Sequence, residues 1–233
     1  MKRKSELRKL LLLLALLVLP GIALILLSKA EHNFEILPYL GEKELVFDKE
    51  SGVVDTLYHR VPDFELVNQE GEQVSFADFE GKIIVADFFF TTCPTICPIM
   101  TKQMTRLQWM LEDPAYDDVH FLSYTVNPTH DSPEVLKTYA LQQGADLSRW
   151  TFITGDQESI HRLGFDGYLL STQEDDMAPG GFLHSSMFVL LDRERHIRGF
   201  YDGTSTKEVD DLVTDIKMLK KQEVMKPTEM VRR

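Results

Sequence analysis

Cysteine is scarce in this sequence: the 233 residues include only two, Cys93 and Cys97. Two thiols are too few for a small fold that is stabilised mainly by disulfide bonds, so the chain must depend on a hydrophobic core. Its composition allows this, because 43% of the residues are hydrophobic and 27% are charged, as in most globular proteins. Since both thiols stand in one short motif, we interpret them as a chemical site in preference to a structural disulfide.

Basic side chains are also few beyond the N-terminus. Residues 1–27 hold five of the 25 Lys/Arg and one of the 37 Asp/Glu, which leaves the rest of the chain with a net charge of −16. A surface this acidic lacks the positive stripe that displaces phosphate counterions, which argues against nucleic acid as a partner. The sequence shows no internal repeat, so we expect one domain with appendages.

Long apolar runs are limited to one, residues 10–27, which contains no charge. At about 1.5 Å per residue, this run is just long enough to cross a bilayer as a helix. The basic residues before it predict that residues 1–9 stay in the cytoplasm and that the chain after Ser28 lies outside. A cleaved signal peptide is the alternative, but Lys29 makes the following segment a poor cleavage site, which favours an uncleaved anchor. No cysteine follows the run, which argues against a bacterial lipoprotein.

The remaining chain divides into a linker at residues 28–60, a domain at residues 61–221 and a charged tail at residues 222–233. Within the domain, strand patterns alternate with helix patterns between an opening and a closing hairpin. Residues 83–90 are almost continuously apolar, as expected of a strand buried on both faces. This order predicts an α/β fold, a mixed sheet flanked by helices with a thioredoxin-like organisation, behind the N-terminal transmembrane helix.

Local signals also predict individual helices. Apolar residues recur at helical spacing over residues 98–112, with Met100 and Met104 on one side. Ser132 before Pro133 has the pattern of an N-cap followed by the first helical position, and Gly144 ends that helix. We interpret the two methionines as core residues, although thioethers can also bind Cu(I).

The cysteine motif, Thr91-Thr92-Cys93-Pro94-Thr95-Ile96-Cys97-Pro98, follows the buried strand directly. It is therefore expected at the carboxyl edge of the sheet, where α/β proteins collect reactive groups. A helix N-terminus lowers the pKa of a nearby thiol and favours thiolate, which both attacks disulfides and binds metals. Two thiols at this spacing can close as a disulfide or bind one soft metal ion together, and the residues alone leave both open.

The Cys-x-x-x-Cys spacing is one residue longer than that of dithiol oxidoreductases, which leaves room for an ion. Two thiolates and one imidazole suit Cu(I) and can also accept Cu(II), whereas zinc would require a fourth ligand. Among the seven histidines, His184 stands out because it ends a Gly-rich loop and opens a strand. On sequence alone, a lone histidine of this kind is more often structural than a ligand.

Four segments, residues 86–101, 126–134, 150–155 and 184–192, together resemble the Sco/SenC family. The resemblance covers residues 61–220, and its most specific element is the Cys-x-x-x-Cys-Pro motif with a distant His-Ser pair. It implies a thioredoxin-like copper protein anchored in the bacterial inner membrane, with its soluble domain in the periplasm. It further implies that Cys93, Cys97 and His184 bind one copper ion, with Asp87 at an acidic position near the site.

The resemblance also implies a function and partners. The leading hypothesis is a copper chaperone that supports the binuclear copper centre of cytochrome c oxidase subunit II or of another copper oxidase. Other periplasmic copper or thiol-redox proteins would be further partners. The alternatives are a thiol–disulfide oxidoreductase, in which Cys93 and Cys97 are the catalytic dithiol, and a redox or copper sensor. Nothing in the sequence indicates enzymatic turnover.

The sequence departs from the family pattern in one loop. Asn127 stands where the family commonly has Asp, and His130 where Arg or Asn is frequent. We interpret His130 as a solvated loop residue in preference to an extra weak copper ligand. For Asp87, two interpretations stay open: a group that tunes the thiols or the ion, and a buried strand acid that hydrogen-bonds to backbone.

Overall fold

The computed structural model describes residues 18–20, 36–47, 54–170 and 185–225. The chain separates into two units, Met1–Glu35 and Ile36–Arg233, and the second contains the fold. Of the predicted membrane anchor, only residues 18–20 are described, and they are helical. No helix among the described residues is both long and apolar enough to cross a bilayer.

The second unit is built on a seven-stranded mixed sheet with the strand order β4-β3-β7-β6-β5-β8-β9. The three central strands β5, β6 and β7 are parallel, whereas the remaining pairings are antiparallel. Two further strands form a separate hairpin. The strands are β1 Lys43–Phe47, β2 Val54–Tyr58, β3 Leu66–Asn68, β4 Gln73–Val74, β5 Ile83–Phe89, β6 Val119–Thr125, β7 Trp150–Thr154, β8 Met187–Leu191 and β9 Ile197–Asp202.

Four α-helices connect or follow these strands: α1 Cys97–Met110, α2 Pro133–Gln142, α3 Gln157–Arg162 and α4 Thr206–Met225. Hydrogen bonds link α1 to its neighbours on both sides. Thr101 Oγ1 lies 2.7 Å from the Tyr139 hydroxyl of α2, and Gln103 donates to Thr206 Oγ1 of α4 at 2.8 Å. The three helices therefore lie on one face of the sheet with α1 in the middle.

Strand β5 is the centre of the core, and all seven of its residues are buried. Its neighbours are β6, which runs parallel, and β8, which runs antiparallel. Because successive side chains point to opposite faces, Asp87 and Phe89 share the face that carries the helices, where the Phe89 ring contacts Tyr139. Phe88 lies on the other face, stacked on Tyr124.

Most of the predicted elements agree with these bounds. The strand predicted at residues 83–90 ends one residue earlier, and the Ser132 hydroxyl does accept from the Val135 N–H at the start of α2. The predicted opening hairpin is the short pair of β3 and β4, which ends where Phe76 begins a 3₁₀ helix, Phe76–Phe79, capped by Ser75. The thioredoxin-like α/β fold is confirmed, with Met100 and Met104 fully buried in its core.

The segment interpreted as a linker contains the hairpin of β1 and β2, which the sequence analysis did not predict. Long-range contacts hold it to the domain: Leu40 bridges Ile197, and the buried Arg198 guanidinium donates to the carbonyls of Leu37 and Pro38. All five residues of β1 are exposed, so the hairpin carries no core face that a sequence pattern could reveal.

Candidate functional site

The site begins where β5 ends. The Cys93 N–H donates to the Phe90 carbonyl at 3.2 Å, which closes a turn directly after the strand. Cys97 is the first residue of α1, so the turn and the helix each carry one thiol at the carboxyl edge of the sheet. Both cysteines are free thiols and nearly buried, with 6% and 3% of their surfaces exposed.

The two thiols differ in acidity. Burial raises the pKa of the Cys93 thiol, but hydrogen bonds from the Cys97 thiol, from the backbone N–H groups of Thr95 and Cys97 and from the Thr95 hydroxyl outweigh burial and lower it. The Thr95 oxygen lies 3.7 Å from Cys93 Sγ. Cys93 is therefore the thiol that loses its proton more easily than an ordinary cysteine.

The pKa of Cys97 shifts in the opposite direction. Burial raises it most, and the hydrogen bond to Cys93 and the charges of Cys93 and Asp87 raise it further. A helix N-terminus is expected to lower the pKa of a nearby thiol. That effect reaches Cys93, through the Cys97 N–H, but for Cys97 itself burial is the larger contribution.

Asp87 lies in the middle of β5, with 2% of its surface exposed. It accepts a 2.5 Å hydrogen bond from the Ser123 hydroxyl of β6, and Ser123 in turn accepts from the Trp150 indole N–H at 2.9 Å. Burial raises the pKa of Asp87 to about 7, although the Ser123 hydrogen bond opposes this shift. Asp87 therefore hydrogen-bonds to a side chain and not to backbone. The charge of the Asp87 carboxylate raises the pKa of the Cys97 thiol.

His184 lies outside the described residues. Strand β8 begins three residues later and runs antiparallel beside β5, with Val189 opposite Ala86. The first residues of β8 therefore lie next to the carboxyl end of β5, at the same edge as the cysteine motif. Within the described ranges, no group of three or more His, Cys, Asp or Glu side chains is close enough to hold a metal ion.

His130 lies in the loop after β6, and about half of its side chain is exposed. Its Nδ1 lies 2.9 Å from a carboxylate oxygen of Asp131, which is completely buried. Asp131 was not among the predicted site residues. Its position just before the Ser132 N-cap was the available signal, but Thr91, which donates to it twice, lies in the turn after β5, forty residues earlier.

Comparison with known proteins places this fold and motif in a family. The family model described as SCO1/SenC matches residues 55–221. The chain belongs to the SCO1/SenC family. The SCO1 protein homolog of Bacillus subtilis is 32% identical over 166 residues, which cover 71% of this chain and 85% of that protein.

Solved structures of Sco proteins share the fold. A SCO1/SenC family lipoprotein from Bacillus anthracis has a TM-score of 0.63 and 33% identity, over 70% of this chain and 95% of that chain. BsSco, described with a disulfide switch and as a member of the Sco family of cytochrome c oxidase assembly proteins, has a TM-score of 0.61 and 31% identity, over 69% and 93%.

Bradyrhizobium japonicum ScoI, solved with copper bound, has a TM-score of 0.56 and 21% identity over 69% of this chain and 99% of that chain. At this identity the likeness concerns the fold alone.

Proposed function

We propose that this chain is a membrane-anchored copper chaperone that binds one copper ion through Cys93, Cys97 and His184. The observation that carries the proposal is the pair of free, nearly buried thiols at the carboxyl edge of the sheet, one with a lowered pKa. Thiolates and an imidazole form a soft ligand set that favours Cu(I). A Stutzerimonas stutzeri protein that is 32% identical over 103 residues is described as copper-binding, which supports the choice of metal.

His184 is proposed as the third ligand because of its place in the sequence. It immediately precedes Ser185, and the described chain continues into β8, whose first residues lie beside the end of β5. Asp87 is proposed to tune the acidity of the site, since it lies on the sheet face that the helices cover and its charge raises the pKa of Cys97. Copper would leave by exchange of these ligands for those of an acceptor.

The proposed acceptor is the binuclear copper centre of cytochrome c oxidase, because a relative of 31% identity is described as a member of a family of cytochrome c oxidase assembly proteins. In this proposal residues 10–27 anchor the protein in the bacterial inner membrane and the folded unit faces the periplasm. The basic residues before the apolar run support that orientation.

The test is copper competition on the full-length, reduced protein in detergent against a Cu(I) chelator. We expect one copper per chain in the wild type and at least a tenfold loss of affinity in His184→Ala. His161→Ala is the matched control, because it removes an imidazole from helix α3, which carries none of the proposed ligands, and we expect its affinity to stay within twofold. A wild-type protein that holds no copper against the chelator would make the proposal wrong.

A second candidate, thiol–disulfide oxidoreductase, is favoured by the opposite pKa shifts of the two thiols. The Cys93 thiolate would attack a disulfide of the acceptor and form a mixed disulfide, and the other acceptor sulfur would leave as thiolate. Cys97 would then attack Cys93, which releases the reduced acceptor and leaves a Cys93–Cys97 disulfide. Cys97→Ser should trap the mixed disulfide with an oxidised dithiol peptide, whereas Cys93→Ser should not.

A further inference from the structure

The turn that carries Cys93 is attached to a buried carboxylate forty residues further along the chain. We propose that Asp131 is a positioning residue for Cys93, which acts by holding Thr91, the second residue of that turn. The inference deepens the proposed function, on which it rests for the role of the Cys93 thiol. Its effect on the free thiol can be measured without copper.

Two hydrogen bonds connect Thr91, in the turn after β5, to Asp131, in the loop after β6. The Thr91 N–H donates to Oδ2 of Asp131 at 3.1 Å, and the Thr91 hydroxyl donates to Oδ1 at 2.5 Å. Thr91 directly follows Phe90, whose carbonyl accepts from the Cys93 N–H. Backbone and side chain of one turn residue are therefore both fixed, and the closing residue of the same turn is Cys93.

Asp131 is itself held firmly. It is 0% exposed, and each of its oxygens has a second partner: the Thr125 hydroxyl at 2.5 Å on Oδ2 and His130 Nδ1 at 2.9 Å on Oδ1. A carboxylate has about four lone-pair positions, so four donors use its capacity fully. Its backbone N–H also donates to the Asn127 carbonyl at 2.9 Å. The carboxylate thus connects the turn to the end of β6.

The direction of the Cys93 side chain determines whether its sulfur meets the donors at Thr95 and Cys97. In the closed turn the Thr95 hydroxyl lies 3.7 Å from Cys93 Sγ. If the turn is released, the sulfur is no longer held in this direction, and its reactivity falls because it no longer meets these donors. A carboxylate that served stability alone would leave the reactivity of the thiol unchanged.

The experiment uses Asp131→Asn in the full-length, reduced protein without copper. The amide keeps the shape of the side chain but has fewer acceptor positions, and its NH₂ group meets donors. The readout is the alkylation rate of Cys93 as a function of pH, resolved by mass spectrometry of the cysteine peptide. We expect at least a threefold lower rate at pH 7 and a pH profile displaced to higher pH.

Two matched variants make the test specific. Thr91→Val and Thr125→Val each remove one hydroxyl that donates to the same carboxylate, but only Thr91 belongs to the turn of Cys93. We expect Thr91→Val to lower the Cys93 rate and Thr125→Val to leave it within twofold. Equal effects of the two variants on the rate, or an unchanged profile in Asp131→Asn, would overturn the proposal.

A double variant provides a further check. If Asp131 acts through Thr91, the combination of Asp131→Asn with Thr91→Val should have the same rate as Asp131→Asn within twofold. Rate losses that multiply would mean independent effects and would overturn the inference. Should Asp131→Asn fail to fold, the comparison of Thr91→Val with Thr125→Val decides alone. Loss of copper binding in the wild type would contradict the proposed function and leave this thiol result intact.

Discussion

Two aspartates on or beside neighbouring strands of the sheet differ in how their surroundings treat a carboxylate. Asp118 directly precedes β6 at its amino end, where Lys220 and Arg193 both donate to its oxygens. Asp87 is in the middle of β5, closer to the cysteine motif, and accepts from the Ser123 hydroxyl. The first is partly exposed and the second is buried.

The pKa values of the two carboxyls move in opposite directions as a result. Partial burial raises the pKa of Asp118, but the hydrogen bonds and charges of Lys220 and Arg193 outweigh burial and lower it. For Asp87 burial is the larger contribution and raises the pKa to about 7. The charged form of Asp118 therefore stabilises the fold, whereas the charged form of Asp87, near the cysteine motif, costs stability.

The largest effect is expected from Asp87→Asn. Between about pH 4 and pH 7 the folded protein still holds a proton at Asp87, whereas the unfolded chain has released it. The wild type therefore loses stability as pH rises through this window. Between pH 5 and pH 8 the loss amounts to roughly 2 to 3 kcal/mol. We expect the Asn variant to lack this slope and to gain on the wild type by that amount.

The measurement for Asp87→Asn is urea unfolding of the reduced, metal-free unit Ile36–Arg233 at both pH values. Identical slopes for the wild type and the variant would mean that Asp87 titrates normally and would remove the contrast between the two acids.

A smaller effect of opposite sign is expected from Asp118→Asn. The lowered pKa means that the stabilisation is present above the ordinary pKa of an aspartate and is lost as pH falls through the folded value. At pH 7 we expect a loss of about 1 to 3 kcal/mol, as for hydrogen bonds to charged groups. The difference from the wild type should shrink toward pH 3 in urea unfolding.

Asp211→Asn is the control for this variant. Asp211 pairs with Lys207 on the exposed side of α4, and 53% and 83% of their side chains are accessible. Solvent screens such a pair, so we expect no measurable change. If Asp118→Asn changed the free energy of unfolding as little as Asp211→Asn does, the ion pairs of Asp118 with Lys220 and Arg193 would not stabilise the fold.

The smallest effect is expected from Ser123→Ala, which removes the hydroxyl that donates to Asp87. The hydrogen bond favours the charged acid, so its loss should raise the pKa of Asp87 further. A net bond of about 0.5 to 1.5 kcal/mol corresponds to a rise of roughly half a unit to one unit. The carboxyl resonance of Asp87, followed by NMR titration, reports this change.

Trp150→Phe is the matched control for Ser123→Ala. It removes the indole N–H that donates to Ser123 but keeps the hydroxyl beside the acid. Stability should fall, whereas the pKa of Asp87 should change by less than it does in Ser123→Ala. A larger shift in Trp150→Phe would show that packing, and not the hydroxyl, sets the acidity.

Sequence patterns predicted the parts of the molecule that depend on neighbours in the chain. The continuous apolar run of β5 and the Ser132–Pro133 start of α2 are local signals, and the structure agrees with both. The position of Cys93 and Cys97 at the carboxyl edge follows from the same local order. The chain's membership of the Sco/SenC family was likewise predicted from short motifs and is confirmed.

The features that sequence reasoning missed depend on distant partners. The segment that leads into the hairpin of β1 and β2 is held by Ile197 and Arg198, more than a hundred residues away, and all five residues of β1 are exposed. Asp131 gains its role only because Thr91 and Thr125 converge on it. The raised pKa of Asp87 depends on burial by the assembled sheet and helices, which strand periodicity alone does not quantify.

The two sulfur atoms sit on different supports, one on the first turn of a helix and the other on a tethered loop. An engineer could therefore adjust each sulfur separately. Repacking around Met100 or Met104 would act on the helix that bears Cys97, whereas changing the contacts of Thr91 would act on the loop that bears Cys93. The gap between the two sulfurs can therefore be adjusted from the helix and from the loop.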